Sequence, residues 1–95
     1  MTLHLLEPAE RELDEAVVEL DAQLAGLGAA FFKDLLHAFQ RIERSPHTWA
    51  VVGKTLHRYR LGRFPYSIFY TLNAADVLIV AIGHRHRHPV HSGGA

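Results

Sequence analysis

The stretch HRYRLGRFPYSIFYTL, residues 57–72, changes the period of the chain from helical to alternating and so decides its architecture. Leu56, Tyr59 and Leu61 are interleaved with Arg58 and Arg60, and then Tyr66, Ile68, Tyr70 and Leu72 alternate with Ser67, Phe69 and Thr71. Alternate side chains of a strand face opposite ways, so this pattern predicts two strands with Gly62-Arg63-Phe64-Pro65 turning between them. The stripe Tyr66, Ile68, Tyr70 reads as sheet packing, and Arg60 and Arg63 stand at its rim.

Downstream, Asn73 to Asp76 is a tight connection into Val77-Leu78-Ile79-Val80-Ala81-Ile82, a continuous apolar run. Such a run predicts a strand covered on both faces in the middle of the sheet. His84 to Pro89 then reads as a basic tail leaving the sheet, with residues 90–95 frayed.

Upstream, Leu3 to Leu6 is a short first strand, and Pro8 suits the first turn of a helix. Leu13, Ala16, Val17, Leu20 and Leu24 form one stripe at helical spacing, opposite Glu12, Asp14, Glu15, Glu19 and Asp21. After Gly26-Leu27-Gly28 a second apolar arc, Phe31, Phe32, Leu35, Leu36, Phe39 and Ile42, runs to Ser45-Pro46. The phenylalanines are read as core, and the short glycine-containing link makes the two helices an antiparallel hairpin. Residues 46–55 read as irregular, with Trp49 either plugging the sheet edge or meeting a partner. The expected order is β-α-α-β-β-β: an α+β fold with a helical hairpin on one face of a mainly antiparallel four-stranded sheet.

Ninety-five residues suffice for one core, so residues 1–95 are expected to form one domain. The chain has no cysteine, which excludes disulfides and thiolate chemistry and fits a reducing cytosol. No secretory signal is expected from Met1 to Pro8, and no stretch is apolar for long enough to span a membrane. A formal charge of zero hides a division: residues 1–46 carry nine acids against four bases, residues 47–95 six bases against Asp76 alone. An acidic helical side and a basic sheet side follow, the latter suited to an anionic partner.

The motifs in this order resemble the RelE/ParE superfamily, the toxins of type II toxin-antitoxin modules. EPAERELDEAVVEL (residues 7–20) resembles the family's first helix, GLGAAFFKDLLHAFQRIERSP (26–46) its hinge and second helix, residues 57–72 its central hairpin, and VLIVAIGHRHRHP (77–89) its closing strand and exit. RFPYSIFY is more similar to the ParE and plasmid-stabilisation branch than to the RelE branch. The resemblance implies a cytoplasmic growth inhibitor held in a hetero-oligomer by a cognate antitoxin. ParE-like toxins are associated with inhibition of DNA gyrase; RelE-like toxins are associated with cutting mRNA on the ribosome, and an inactive or repurposed member is a third reading. Relatives often end in His-x-Arg-Arg-Asp-Pro and an aromatic residue; His84, Arg87 and Pro89 keep their places, whereas His86 and His88 replace an Arg and an Asp.

Arg58, Arg60 and Arg63, with Arg85 and Arg87, are the candidate binding residues, since guanidinium groups grip carboxylates and phosphates at two points. Equally, alternating arginines are the ordinary solvated face of an edge strand. Were the chain a nuclease, the candidates are His84 or His86 as acid or base and Arg60, Arg63 or Arg87 as charge stabiliser. His84, His86 and His88 alternate like metal ligands, but no nearby carboxylate completes the set, so neither metal nor other cofactor is expected.

Overall fold

Pro8 stands in the first turn of α1 (Glu7–Gln23), where its missing N–H removes a donor that has no intrahelical acceptor. The structure, a computed structural model, describes residues 2–84. Helix α1 buries Ala9, Leu13, Ala16 and Leu20, a stripe spaced three and four residues apart that lies over the sheet. The chain then turns at Gly26, whose φ of 91° suits a residue without a Cβ. It re-enters as α2 (Leu27–Arg44), which buries Gly28, Phe31, Leu35, Ala38 and Ile42.

Asp21 of α1 ties the two helices together. Its Oδ1 accepts from the backbone N–H of Gly26 at 3.0 Å and of Gly28 at 3.1 Å, satisfying donors at the start of α2 that have no partner within the helix. Gly28 lies against α1 so closely that a Cβ there would stand 2.6 Å from the Val17 carbonyl oxygen.

The strands are β1 (Thr2–Leu5), β2 (Ala50–Val51), β3 (His57–Arg60), β4 (Tyr66–Asn73) and β5 (Asp76–His84), in the spatial order β1-β5-β4-β3-β2. β1 runs parallel to β5 and the other pairs are antiparallel. The α+β architecture expected from the sequence is therefore present, with five described strands rather than four. The extra strand, β2, lies inside the segment read as irregular, because two residues are too few to display an alternation.

The rows Tyr59–Ile68–Ile82 and Leu3–Val77–Leu72 point to the helices and join the core. The described helices cover only that face, so the apolar run of β5 is not equally enclosed: Val77 and Ile79 are fully buried, while Leu78 and Val80 are partly exposed. Phe32 also departs from the core reading and is 42% exposed. At about 100° per residue, Phe31 and Phe32 cannot both face the sheet, and Phe31 takes the inner position against Phe64 and Tyr66, with ring centroids 5.4 and 4.9 Å away.

Trp49 plugs the corner beside β3. Its ring meets that of Tyr59 edge-on at 4.5 Å, and its carbonyl is bonded to His57 Nδ1 at 3.1 Å. His57 stacks on Tyr70 at 4.9 Å and 12°, and the Tyr70 hydroxyl donates to the Pro46 carbonyl at 2.7 Å.

Candidate functional site

β3 supplies two of the candidate arginines. Arg58 pairs across to Phe69 and on to Ala81, and Arg60 to Ser67 and on to Gly83. Both rows belong to the face turned away from the helices, as the period of two requires once Tyr59 points inward. Arg60 is exposed, whereas Arg58 is partly buried, and its Nε has no hydrogen-bond partner among the described residues. A buried donor without an acceptor is costly, and an acceptor on a partner molecule would relieve it.

Arg63 does not join them. It leaves the β3–β4 turn toward α2, where Nε donates to Asp34 Oδ2 at 2.9 Å and Nη2 to Asp34 Oδ1 at 3.1 Å. Its guanidinium also lies 5.8 Å from the centre of the Phe64 ring. The hydrogen bonds from Arg63 hold the Asp34 carboxyl below its usual range, and the carboxylate in turn raises the guanidinium above its own.

His84 ends β5 on the helix side of the sheet, its ring edge-on to Tyr66 at 5.1 Å. Arg63, Tyr66 and His84, with Glu19 and Phe64, line one cleft of about 370 Å³. Arg63 and His84 are thus brought together, and Arg58 and Arg60 are together on the opposite face. Arg85, His86 and Arg87 lie outside the described residues, as does the expected frayed tail.

Charge on the helices divides differently from the expectation of one acidic side. α1 is acidic, but α2 carries Lys33, His37, Arg41 and Arg44 at spacings of four, four and three residues along one flank. Sequence reasoning passed over this flank because it tracked the apolar period of α2 alone. The same spacing, applied to the basic residues, reveals it. The partnership of Arg63 with Asp34 left no local signal, since the two are 29 residues apart.

The sequence that builds this helical hairpin and sheet matches, over residues 3–89, the family described as "ParE toxin of type II toxin-antitoxin system, parDE". The chain belongs to the ParE toxin family. Among solved structures, the fold of this ParE-family chain is similar to one in the chromosomal ParDE TA system from P. aeruginosa, with 15% identity over 88% of this chain and 95% of that one and a TM-score of 0.80. It is also similar to the isolated E. coli RelE toxin, with 17% identity, 98% and 93% coverage and a TM-score of 0.67. At such identities the two structures establish a shared fold. No curated protein matches the chain. No described helix of this family member is long and apolar enough to cross a membrane.

Proposed function

We propose that this chain is a ParE-type growth inhibitor that acts in the cytoplasm by binding DNA gyrase, and that a cognate antitoxin neutralises it in a hetero-oligomer. The observation that carries the reading is the family match over residues 3–89. The binding surface is assigned to Arg58 and Arg60, with Arg85 and Arg87 following β5 in sequence. Support comes from the unpartnered Arg58 Nε beside the exposed Arg60, on a sheet face that no described helix covers. Arg63 acts at the rim, held by Asp34.

The second reading is a ribosome-dependent mRNA endoribonuclease, and the cleft between Arg63 and His84 favours it. RNA cleavage needs a base for the attacking 2′-hydroxyl, an acid for the leaving oxygen and cations for the developing phosphorane charge. His84 or His86 is an acid or base of the right type, with Arg60, Arg63 or Arg87 as cation.

Induced expression in a bacterial host tests both readings. Growth arrest relieved by co-expressing the neighbouring small gene is expected; soluble protein without arrest would overturn the toxin reading in that host. Blocked supercoiling by purified gyrase with intact transcripts supports the binding inhibitor. Codon-phased mRNA 5′ ends with unimpaired supercoiling would replace it with the nuclease.

A further inference from the structure

We infer that the outer face of the helical hairpin is a self-association surface, on which two copies of this chain pack α1 against α2 about a two-fold axis. Phe32 on α2 and Val18 on α1 are 42% and 70% exposed. Both line a cleft of about 580 Å³ between the helices, together with Leu13, Val17 and Ala29. Leu36, one turn beyond Phe32, is exposed as well. Single exposed apolar side chains are ordinary, but here three of them, from two helices, gather around one apolar recess.

The face carries both halves of a joint. Phe32 stands out beside the recess that Val17, Val18 and Ala29 form, so a two-fold axis lets the Phe32 of each copy enter the recess of the other. Knob and hole on one patch is the condition for an isologous contact, in which every interaction occurs twice.

Charge selects the axis. α1 carries seven acids and one base, whereas α2 carries three bases and two acids, and of those two Asp34 is already held by Arg63. An axis lying across the helices would stack α1 on α1, acid on acid. An axis along the groove instead lays each α1 antiparallel over the α2 of the other copy, so that Asp14 meets Lys33 twice. Both residues are exposed, and among the described residues neither has an ion-pair partner. A partner of a single sign would leave one helix of the hairpin facing like charge, which a second copy avoids.

Area sets the strength. Eighteen residues make a helix about 27 Å long, and two helices about 9 Å apart present a face roughly 20 Å wide. The resulting face of about 500 Å² falls short of the roughly 800 Å² that each member of a standard stable complex contributes. The dimer is accordingly weak and reversible, with a Kd on the order of 10 µM.

Sedimentation of the full chain across a range of concentrations tests this. The mass should rise from 10.7 kDa toward twice that value, with half the chains paired near 10 µM. Phe32→Ser should weaken pairing at least tenfold while circular dichroism shows the fold retained, since the ring is not in the core. Asp14→Lys and Lys33→Glu should each weaken it, and the two together in one chain should restore it, an outcome that mere damage to the fold does not produce. A mass that stays monomeric up to about 500 µM would overturn the proposal. So would a dimer indifferent to Phe32→Ser and to both charge reversals, which would place the contact elsewhere. Amide shifts at residues 14–18 and 29–36 that appear only on adding the product of the neighbouring small gene, and not on concentrating the chain, would give the groove to that protein instead. Growth arrest is scored separately, so failure of the dimer leaves both readings of the toxin's target as they stand.

Discussion

Arg63 in the β3–β4 turn and Asp34 on α2 form a two-point ion pair, Nε to Oδ2 at 2.9 Å and Nη2 to Oδ1 at 3.1 Å. It joins the turn of the central hairpin to the helix above it, across a stretch of chain that includes α2's second half, β2 and β3.

Because Asp34 titrates below its usual range when folded, its share of stability is present above the ordinary aspartate pKa and is lost as pH falls through the lowered value. Arg63→Gln should therefore melt earlier than the wild type at neutral pH and low salt. The gap should close as pH falls through that lowered value and shrink in about 1 M salt. Thermal melts on both proteins check this; a gap that persists in acid would remove the ion pair as its cause.

Glu12 predicts the opposite slope. Its carboxylate accepts from the Ile82 N–H at 2.7 Å, yet burial raises its pKa above the ordinary value of 4.5. The folded state thus holds its proton more tightly than the unfolded chain, and stability declines as pH rises through the raised value. Glu12→Gln keeps an acceptor for Ile82 without the charge. It should be at least as stable as the wild type at pH 7 and should flatten the pH dependence above about 4.5. A slope unchanged by the substitution would assign it to another group.

Tyr70→Phe should cost about 1–2 kcal/mol, since it leaves the Pro46 carbonyl without its buried donor while keeping the ring. Burial pushes the phenol up to about 12, so the hydroxyl remains a donor throughout the neutral range. The midpoint of urea unfolding measures the loss, and a neutral result would mean that water satisfies the carbonyl instead.

Gly28→Ala sets two magnitudes against each other. Alanine gains about 1 kcal/mol over glycine in a helix, but the added Cβ would meet the Val17 carbonyl oxygen at 2.6 Å. Backbone of a packed helix cannot step aside cheaply, and overpacking costs about 1–3 kcal/mol. Net destabilisation is expected in chemical denaturation, with the α1–α2 contact loosened. A variant more stable than the wild type would refute the close approach.

Helix, hairpin and strand positions were legible because each carries a period: the α1 stripe, the alternation at 66–72 and the change between them at Pro46. What escaped had no period or no local cue. β2 is two residues long, Phe32 competes with an adjacent phenylalanine for one inward position, and Asp34 meets a residue far along the chain. The site divides likewise. Strand alternation placed Arg58 and Arg60 on one face, but a turn has no such rule, and only the folded chain reveals Arg63 aimed at α2.

The hydrogen bond from Ile82 to Glu12 has a consequence for how copies of this protein meet. β1 ends at Leu5, and the Leu6 N–H is bonded to the Ile79 carbonyl, so among the described residues the final part of β5 runs on past its neighbour as an open border. A bare border of that kind invites a strand from a second molecule. The Glu12 carboxylate occupies the Ile82 N–H on that border, and it presents negative charge to the intruder's carbonyl oxygens. One side chain from the helical layer thereby acts as a selvedge on the described part of the sheet, taking up a donor that an added strand would otherwise use.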